Sequence, residues 1–358
     1  IDWAMDTAIR SMLQGRPGPA VLDVPDNVQR AEFTPSPFPQ RLSLMSETGG
    51  KNTGSLFAQC RQPVVIVGAG VHQAHAEAQI QTLLWQLQAP VVLSWGARDL
   101  LVDTDLLYVG TFGQYGSYAG NYAVHEADFI LSIGCRLDSH HWLKGFGEKA
   151  RILPVELDVA ELHKYGSKVP PTDLRSLNAL DVIPSDSWGK WAADLQTLKK
   201  AYPVGSPSRF DALNPYDFIR KLSALASPED VIITEAGMVL AVTMQTWAVK
   251  VGQRIISNWN HSPMGYGLPA AIGAALATRR RILSLCGDGG FLMNVQELAT
   301  LRQVNANVLV FVLDNQGYGM LRQTQDKWMA GRHSATSYAG GLGQMLTEDL
   351  AHAADLPW

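Results

Sequence analysis

The strongest constraint on the fold is a pair of short apolar runs separated by one helix-length segment toward the end of the chain. Ile282, Leu283 and Leu285 lead into Gly287-Asp288-Gly289-Gly290, a helical stretch is predicted from about Asn294 to Gln303, and Val308 to Leu313 then returns to Asp314-Asn315. Short continuous apolar runs suit buried strands, and the interval leaves room for a crossover helix, so two parallel strands are predicted. In an open α/β sheet both release their carboxyl ends on one edge, which brings Asp288 and Asn315 side by side. Gly289 and Gly290 bare the backbone where a helix begins, and N–H groups exposed there favour phosphate. A carboxylate and an amide oxygen beside a phosphate cradle suit Mg²⁺, a hard cation that takes oxygen ligands. A lone GDGG is more often a plain turn after a strand. The Asn that closes the second strand turns the reading toward a diphosphate held through a metal.

A chain of 358 residues exceeds the roughly 250–300 that one core supports, so two or three domains are expected. The net charge of -4 gives no sign of nucleic-acid binding. Cys60, Cys135 and Cys286 are odd in number and far apart, which fits a reducing compartment better than a disulfide framework or zinc site. No apolar run approaches the ~20 residues that cross a bilayer, and the first residues carry no targeting pattern. A cytoplasmic protein that does not enter the membrane is expected.

Residues 1–33 read as the closing pieces of a larger domain: Ala4 to Gln14 has helical spacing, and Ala20 to Val24, ended by Pro25, reads as a strand. Residues 34–55, rich in Pro, Ser and Gly, read as a linker. Residues 56–200 alternate strands (Pro63 to Gly68, Val91 to Ser94, Phe129 to Ile133, Ile152 to Leu157) with a helix at Gln73 to Gln88. A second linker covers 201–211. Within 212–358, Asn214 and Pro215 open a helix to about Leu225, Val231 to Thr234 is a strand, and Thr347 to Ala354 a last helix. The fold class is α/β: two doubly wound parallel-sheet domains, one central and one diphosphate-binding, plus the tail end of a third. Both ends are expected to be cuts through a longer protein.

Gly68-Ala69-Gly70 invites a nicotinamide reading, but Ala74 stands where a third glycine would and no acidic residue closes the next strand, so packing is preferred. His72 with His75, and His140 with His141, lack a fixed third ligand and read as solvated or capping groups.

Between the strand at 234 and GDGG, small residues at 265, 267, 270, 271 and 273 permit close backbone approach, for which a tightly packed helix is account enough. Beside GDG and the strand-ending Asn315, however, the chain resembles the thiamine diphosphate enzymes of the acetolactate synthase large-subunit group. GRPGPAVLDVPDNVQ is similar to the close of their pyrimidine-binding domain, and MGYGLPAAIGAA to the segment supporting the cofactor's aminopyrimidine. The resemblance implies that Asp288, Asn315 and the main-chain oxygen of Gly317 hold Mg²⁺. It places Gly237, Ser262, Met264, Gly265, Gly287, Gly289, Gly290, Tyr318, Gly319 and Met320 against thiamine diphosphate, Met264 being the apolar wedge that bends it. The implied activity is decarboxylation of a 2-oxo acid such as pyruvate and ligation of the two-carbon unit to a carbonyl acceptor. Simple decarboxylation or oxidation in the same family, or a non-catalytic homologue, are the alternatives. The family's activating glutamate belongs to the pyrimidine-binding domain, so no catalytic residue is assigned here and the chain alone is expected to be inactive. A homodimer or homotetramer is implied, because the family's cofactor sits between chains.

Departures from the synthases are specific. Thr324 stands where they place a pocket-shaping Trp, His140 where they place an Arg near cofactor and substrate, Tyr115 where a His lies by FAD, and Met238 and Val239 replace polar groups. These put both FAD and acetolactate in question. The segment from Asp314 to Leu342 is closer to acetolactate-synthase-like proteins of surface-polysaccharide and branched-sugar pathways, which implies a keto-sugar acceptor.

Overall fold

The computed structural model describes residues 2–13, 15–32, 34, 60–164, 174–177, 186–205, 213–343 and 346–358. Apart from residue 34, the linker predicted at 34–55 lies outside the described residues, as do positions 206–211 of the second.

Among the described residues nine strands form two sheets in which every neighbouring pair is parallel. The first contains β1 (Pro63–Val67), β2 (Val91–Leu93), β3 (Tyr108–Thr111), β4 (Phe129–Ile133) and β5 (Arg151–Val155) in the order β3-β2-β1-β4-β5. All five residues of β1 are buried, as a central parallel strand covered on both faces requires. Helix Glu77–Leu87 buries Ile80, Leu83, Leu84 and Leu87, one face at helical spacing. Helix Asp186–Ala201 sends Trp188 and Trp191 inward, their indole N–H groups donating to the carbonyls of Cys60 (2.9 Å) and Pro63 (3.2 Å).

Three expectations change here. The helix predicted over 73–88 is two pieces, Gly70–Gln73 and Glu77–Leu87, with His75 between them at φ +51°. Ala20 to Val24 is extended and largely exposed but is not a strand, because no described strand lies beside it to pair with. β3 and the three-residue strand Arg254–Ile256 were not foreseen: Gly110 interrupts the first, and the second is too short to show a period.

The glycines of Gly68-Ala69-Gly70 answer to packing. A Cβ on Gly68 would lie 2.3 Å from the Gly134 carbonyl oxygen and 2.5 Å from Cys135 Cα, and one on Gly70 would lie 2.8 Å from the same oxygen. Gly68→Ala is therefore expected to destabilise the protein by about 3 kcal/mol through backbone displacement between β1 and β4, read as a lowered urea midpoint. An unchanged midpoint would show that the turn accommodates the methyl group.

The second sheet holds β6 (Val231–Thr234), β7 (Arg254–Ile256), β8 (Ile282–Gly287) and β9 (Val308–Leu313) in the order β7-β6-β8-β9. Helix Pro215–Leu225 begins as predicted, the Asn214 side chain accepting the N–H of Tyr216 at 2.9 Å. β8 is buried almost throughout, whereas β9 is the edge strand among the described residues and is only half-buried, with Leu309 47% exposed.

The two domains meet through a buried polar seam. The Arg98 guanidinium, 1% exposed, donates to Asp103 (2.6 and 2.8 Å) and, across the interface, to the carbonyls of Trp247 (2.8 Å) and Met244 (3.3 Å). Asp103 also accepts the N–H of Val249, and Asp99 accepts Arg254 Nε (2.8 Å) and the N–H of Ile255 (3.0 Å). His72 joins this seam through Asp99 (2.7 Å) and Glu77 (2.8 Å). Burial opposes its charged ring, but the two carboxylates outweigh that and hold His72 above its ordinary value.

Candidate functional site

Topology places the site. From β6 the chain runs outward to β7 and then crosses back to β8 on the other side, so the carboxyl ends of β6 and β8 border a switch point, where open sheets leave a ligand crevice. Glu235 follows β6, Asp288 follows β8, and Asp314-Asn315 follows β9. β8 and β9 pair in register as far as Gly287 opposite Leu313, so the two predicted tips are neighbours.

Asp288 is 6% exposed. Its Oδ2 accepts the N–H of Gly317 at 2.6 Å, while its Oδ1 is buried without any partner. Burial pushes its carboxyl up; the Gly317 N–H opposes this, Asp314 adds to it, and the N–H groups of Asn315 and Gly289 offset part. A buried oxygen without a donor is costly unless a cation completes it, so this donor set fits a hard divalent ion. Among the described residues no cluster of three or more His, Cys, Asp or Glu suits a metal. Asn315 is exposed; its main-chain oxygen accepts Arg322 Nη2 at 2.7 Å, and its side-chain oxygen lies 3.4 Å from the same nitrogen. Gly317 sits at φ +125°, where an added Cβ would come within 2.4 Å of the Thr336 carbonyl.

The predicted site glycines divide into two kinds. Gly237 and Gly287 face open space, with nothing within 4 Å of an added Cβ, and Gly237 needs its φ of +92°. Gly289 lies against the Tyr318 ring (2.4 Å from an added Cβ), Gly290 against Glu235 (2.7 Å), Gly265 against Asn294 (2.7 Å), and Gly319 against the Asn315 amide (2.9 Å). At Gly289 and Gly290, expected to bare the backbone for phosphate, the missing side chains also admit Tyr318 and Glu235. The helix expected from about Asn294 in fact starts at Asp288, breaks after Met293, and resumes as Glu297–Gln303. Asn294 makes the break useful, since its side-chain N–H donates to the Gly265 carbonyl at 2.8 Å.

Met264 is 48% exposed, and Met320 is half-buried at the start of helix Gly319–Trp328. Ser262, at φ +45°, turns its hydroxyl to the Trp259 carbonyl (2.7 Å). Glu235, Asn294, Arg322 and Tyr338 were not singled out from sequence. Tyr338 is held up by burial and by Asp314 and Asp288. An acidic residue directly after the strand at 234 was the available signal for Glu235. Cys286 offers no nucleophile, because burial pushes its thiol up to about 12. Tyr115 and His140 lie in an aromatic cluster: Tyr115 stacks on Trp95 (centroids 5.9 Å), and His140 meets Trp259 edge-on (5.9 Å).

Residues 53–171 match the thiamine pyrophosphate enzyme central domain, and residues 235–357 match the C-terminal TPP binding domain of the same enzymes. The chain belongs to the thiamine pyrophosphate enzymes. The match to their TPP binding domain begins at Glu235, and the two parallel sheets are consistent with their central and TPP binding domains. Similar proteins include the acetolactate synthase isozyme 1 large subunit of Escherichia coli (strain K12), 29% identical over 95% of this chain and 62% of that protein. Acetolactate synthase 1, chloroplastic, of Zea mays is 30% identical over 90% of the chain and 54% of its own length. The probable acetolactate synthase large subunit of Methanocaldococcus jannaschii is 29% identical over 89% and 58%. The chain thus spans under two thirds of the length of these relatives. No helix among the described residues is long and apolar enough to cross a membrane.

Proposed function

We propose that this chain is the central and diphosphate-binding part of a thiamine diphosphate- and Mg²⁺-dependent enzyme that decarboxylates a 2-oxo acid such as pyruvate and joins the two-carbon unit to a carbonyl acceptor. The observation that carries the reading is the buried, partnerless Oδ1 of Asp288 at the switch-point edge. Asp288, the Asn315 amide and the Gly317 carbonyl would hold Mg²⁺ and, through it, the diphosphate. Gly237 and Gly287 would leave room beside it, and Met264, Gly265 and the main chain at Ser262 would support the organic rings, with Tyr318, Gly319 and Met320 closing the β9 side. When bound, the cofactor supplies a carbanion equivalent and an electron sink for decarboxylation.

What this chain's residues contribute is binding and orientation. Asp288 is held through Oδ2 by the main-chain N–H of Gly317, which leaves Oδ1 free to meet a cation without rearranging. The segment from Ser262 to Gly267 is held at both ends by hydrogen bonds and at Gly265 by Asn294. An activating glutamate would come from the pyrimidine-binding domain of a second subunit, in a homodimer or homotetramer of the complete, cytoplasmic protein. Thr324, smaller than a Trp, donates back to the Met320 carbonyl (3.1 Å), which favours an acceptor bulkier than a second pyruvate, such as a keto-sugar. FAD is left out of this reading, because Tyr115 and His140 are committed to the aromatic cluster. Supplying the complete protein with pyruvate, thiamine diphosphate, Mg²⁺ and candidate carbonyl acceptors, with products identified by mass spectrometry, tests it. Pyruvate that is neither decarboxylated nor ligated would remove the enzyme reading.

A further inference from the structure

Glu235 is 1% exposed and lies at the carboxyl end of β6, on the crevice. Its Oε1 accepts the N–H groups of Ala236 (3.0 Å) and Tyr266 (3.3 Å), and its Oε2 accepts that of Gly267 (2.7 Å). Among the described residues no Lys, Arg or His forms a salt bridge with it. Its partners are main-chain donors, two of them at the start of the twelve-residue helix Gly267–Thr278, which has no side-chain cap of its own. N–H groups at a helix start are orphaned and positively polarised, so a carboxyl group satisfies them well.

The same side chain reaches the starts of two helices that border the crevice. An added Cβ on Gly267 would fall 3.0 Å from Glu235 Oε2 and 2.9 Å from Cys286 Sγ, so Gly267 is wedged between β6 and β8. An added Cβ on Gly290 would fall 2.7 Å from Glu235 Cγ, which seats the first turn of helix Asp288–Met293 on it as well. Main-chain hydrogen bonding continues this contact, since the Glu235 N–H donates to the Leu285 carbonyl at 2.9 Å. One carboxyl group therefore sets the segment that bears Met264 and Gly265 relative to the strand tip that bears Asp288. The tip has its own main-chain support at Gly317; the Met264 segment has Glu235 and Asn294.

We propose that Glu235 is a positioning residue that fixes the Ser262–Gly267 segment, and so governs how tightly the ring half of a thiamine diphosphate is held, without governing the metal–diphosphate half. This rests on the function proposed above. In Glu235→Gln an N–H₂ group must face main-chain N–H donors at one of the two oxygen positions, which releases part of the segment while volume is kept.

The test is calorimetry on the complete protein with two probes, thiamine diphosphate with Mg²⁺ and inorganic pyrophosphate with Mg²⁺. Glu235→Gln is expected to weaken thiamine diphosphate about tenfold or more, the range seen for outer supporting groups, while pyrophosphate changes less than about twofold. Glu235→Asp keeps an acceptor but withdraws it by one methylene, and is expected to fall between. Equal weakening of both probes, or no change in either, would overturn the assignment. So would unfolding of both variants, which would make Glu235 a requirement of the fold alone. If the wild-type protein binds neither probe, the cofactor reading itself fails, a result distinct from an unselective Glu235 effect.

Discussion

Asp288→Ala in the complete protein is expected to weaken thiamine diphosphate binding in the presence of Mg²⁺ by at least about 100-fold, ~2.7 kcal/mol, measured by titration calorimetry. In the set proposed for the ion the side chain is the one charged ligand, the others being neutral amide and main-chain oxygens. The same residue carries a second, opposite expectation. In the metal-free protein its carboxyl is held above the ordinary range by burial first, with Asp314 adding to it. A group whose folded value is raised favours the protonated form of the folded state. Its destabilising effect is therefore complete above the folded value and fades as pH falls through that value toward the unfolded one. Asp288→Asn should then leave the metal-free protein as stable as wild type or more so at neutral pH, while removing the stabilisation that Mg²⁺ with thiamine diphosphate gives. Asp288→Ala that binds as well as wild type would refute the placement of the ion.

A large stability effect is expected at Arg98. Replacing it with Met should cost about 3 kcal/mol in urea unfolding, because it leaves two buried carbonyls on one side of the domain boundary and a half-buried carboxylate on the other without their donor. Asp103 would lose its bidentate donor, and the carbonyls of Trp247 and Met244 would lose theirs. The carbonyls belong to one domain and the guanidinium to the other, so the two sheets should also unfold at separate midpoints. A loss below about 1 kcal/mol, with a single transition, would show that the seam contributes little to coupling.

The sequence was most informative where local pattern and global fold say the same thing. Val308–Leu313 and Phe129–Ile133 begin and end where their apolar runs do, and Asn214 caps the helix it precedes. The meeting of Asp288 with the main chain after β9 followed from two strands and one crossover. Contacts between distant segments were not legible. Nothing around Gly289 or Gly290 says that the bare positions receive Tyr318 and Glu235, and nothing near Asn294 says that its side chain reaches Gly265. Arg98 reads as an ordinary charged residue until a second domain closes over it. β7 escaped detection because three residues carry no period, although it is the strand that makes the switch point.

The half-buried rim of the second sheet has a practical bearing. Six consecutive aliphatic or aromatic residues, Val308 to Leu313, present main-chain donors and acceptors along one side with no described strand to receive them. Such a border is adhesive toward any extended polypeptide, whether a segment of the same molecule or a stranger. Handled by itself this portion of the molecule should cling to its own copies and come out of solution, and charged gatekeepers at Leu309, 47% exposed, would be the first remedy.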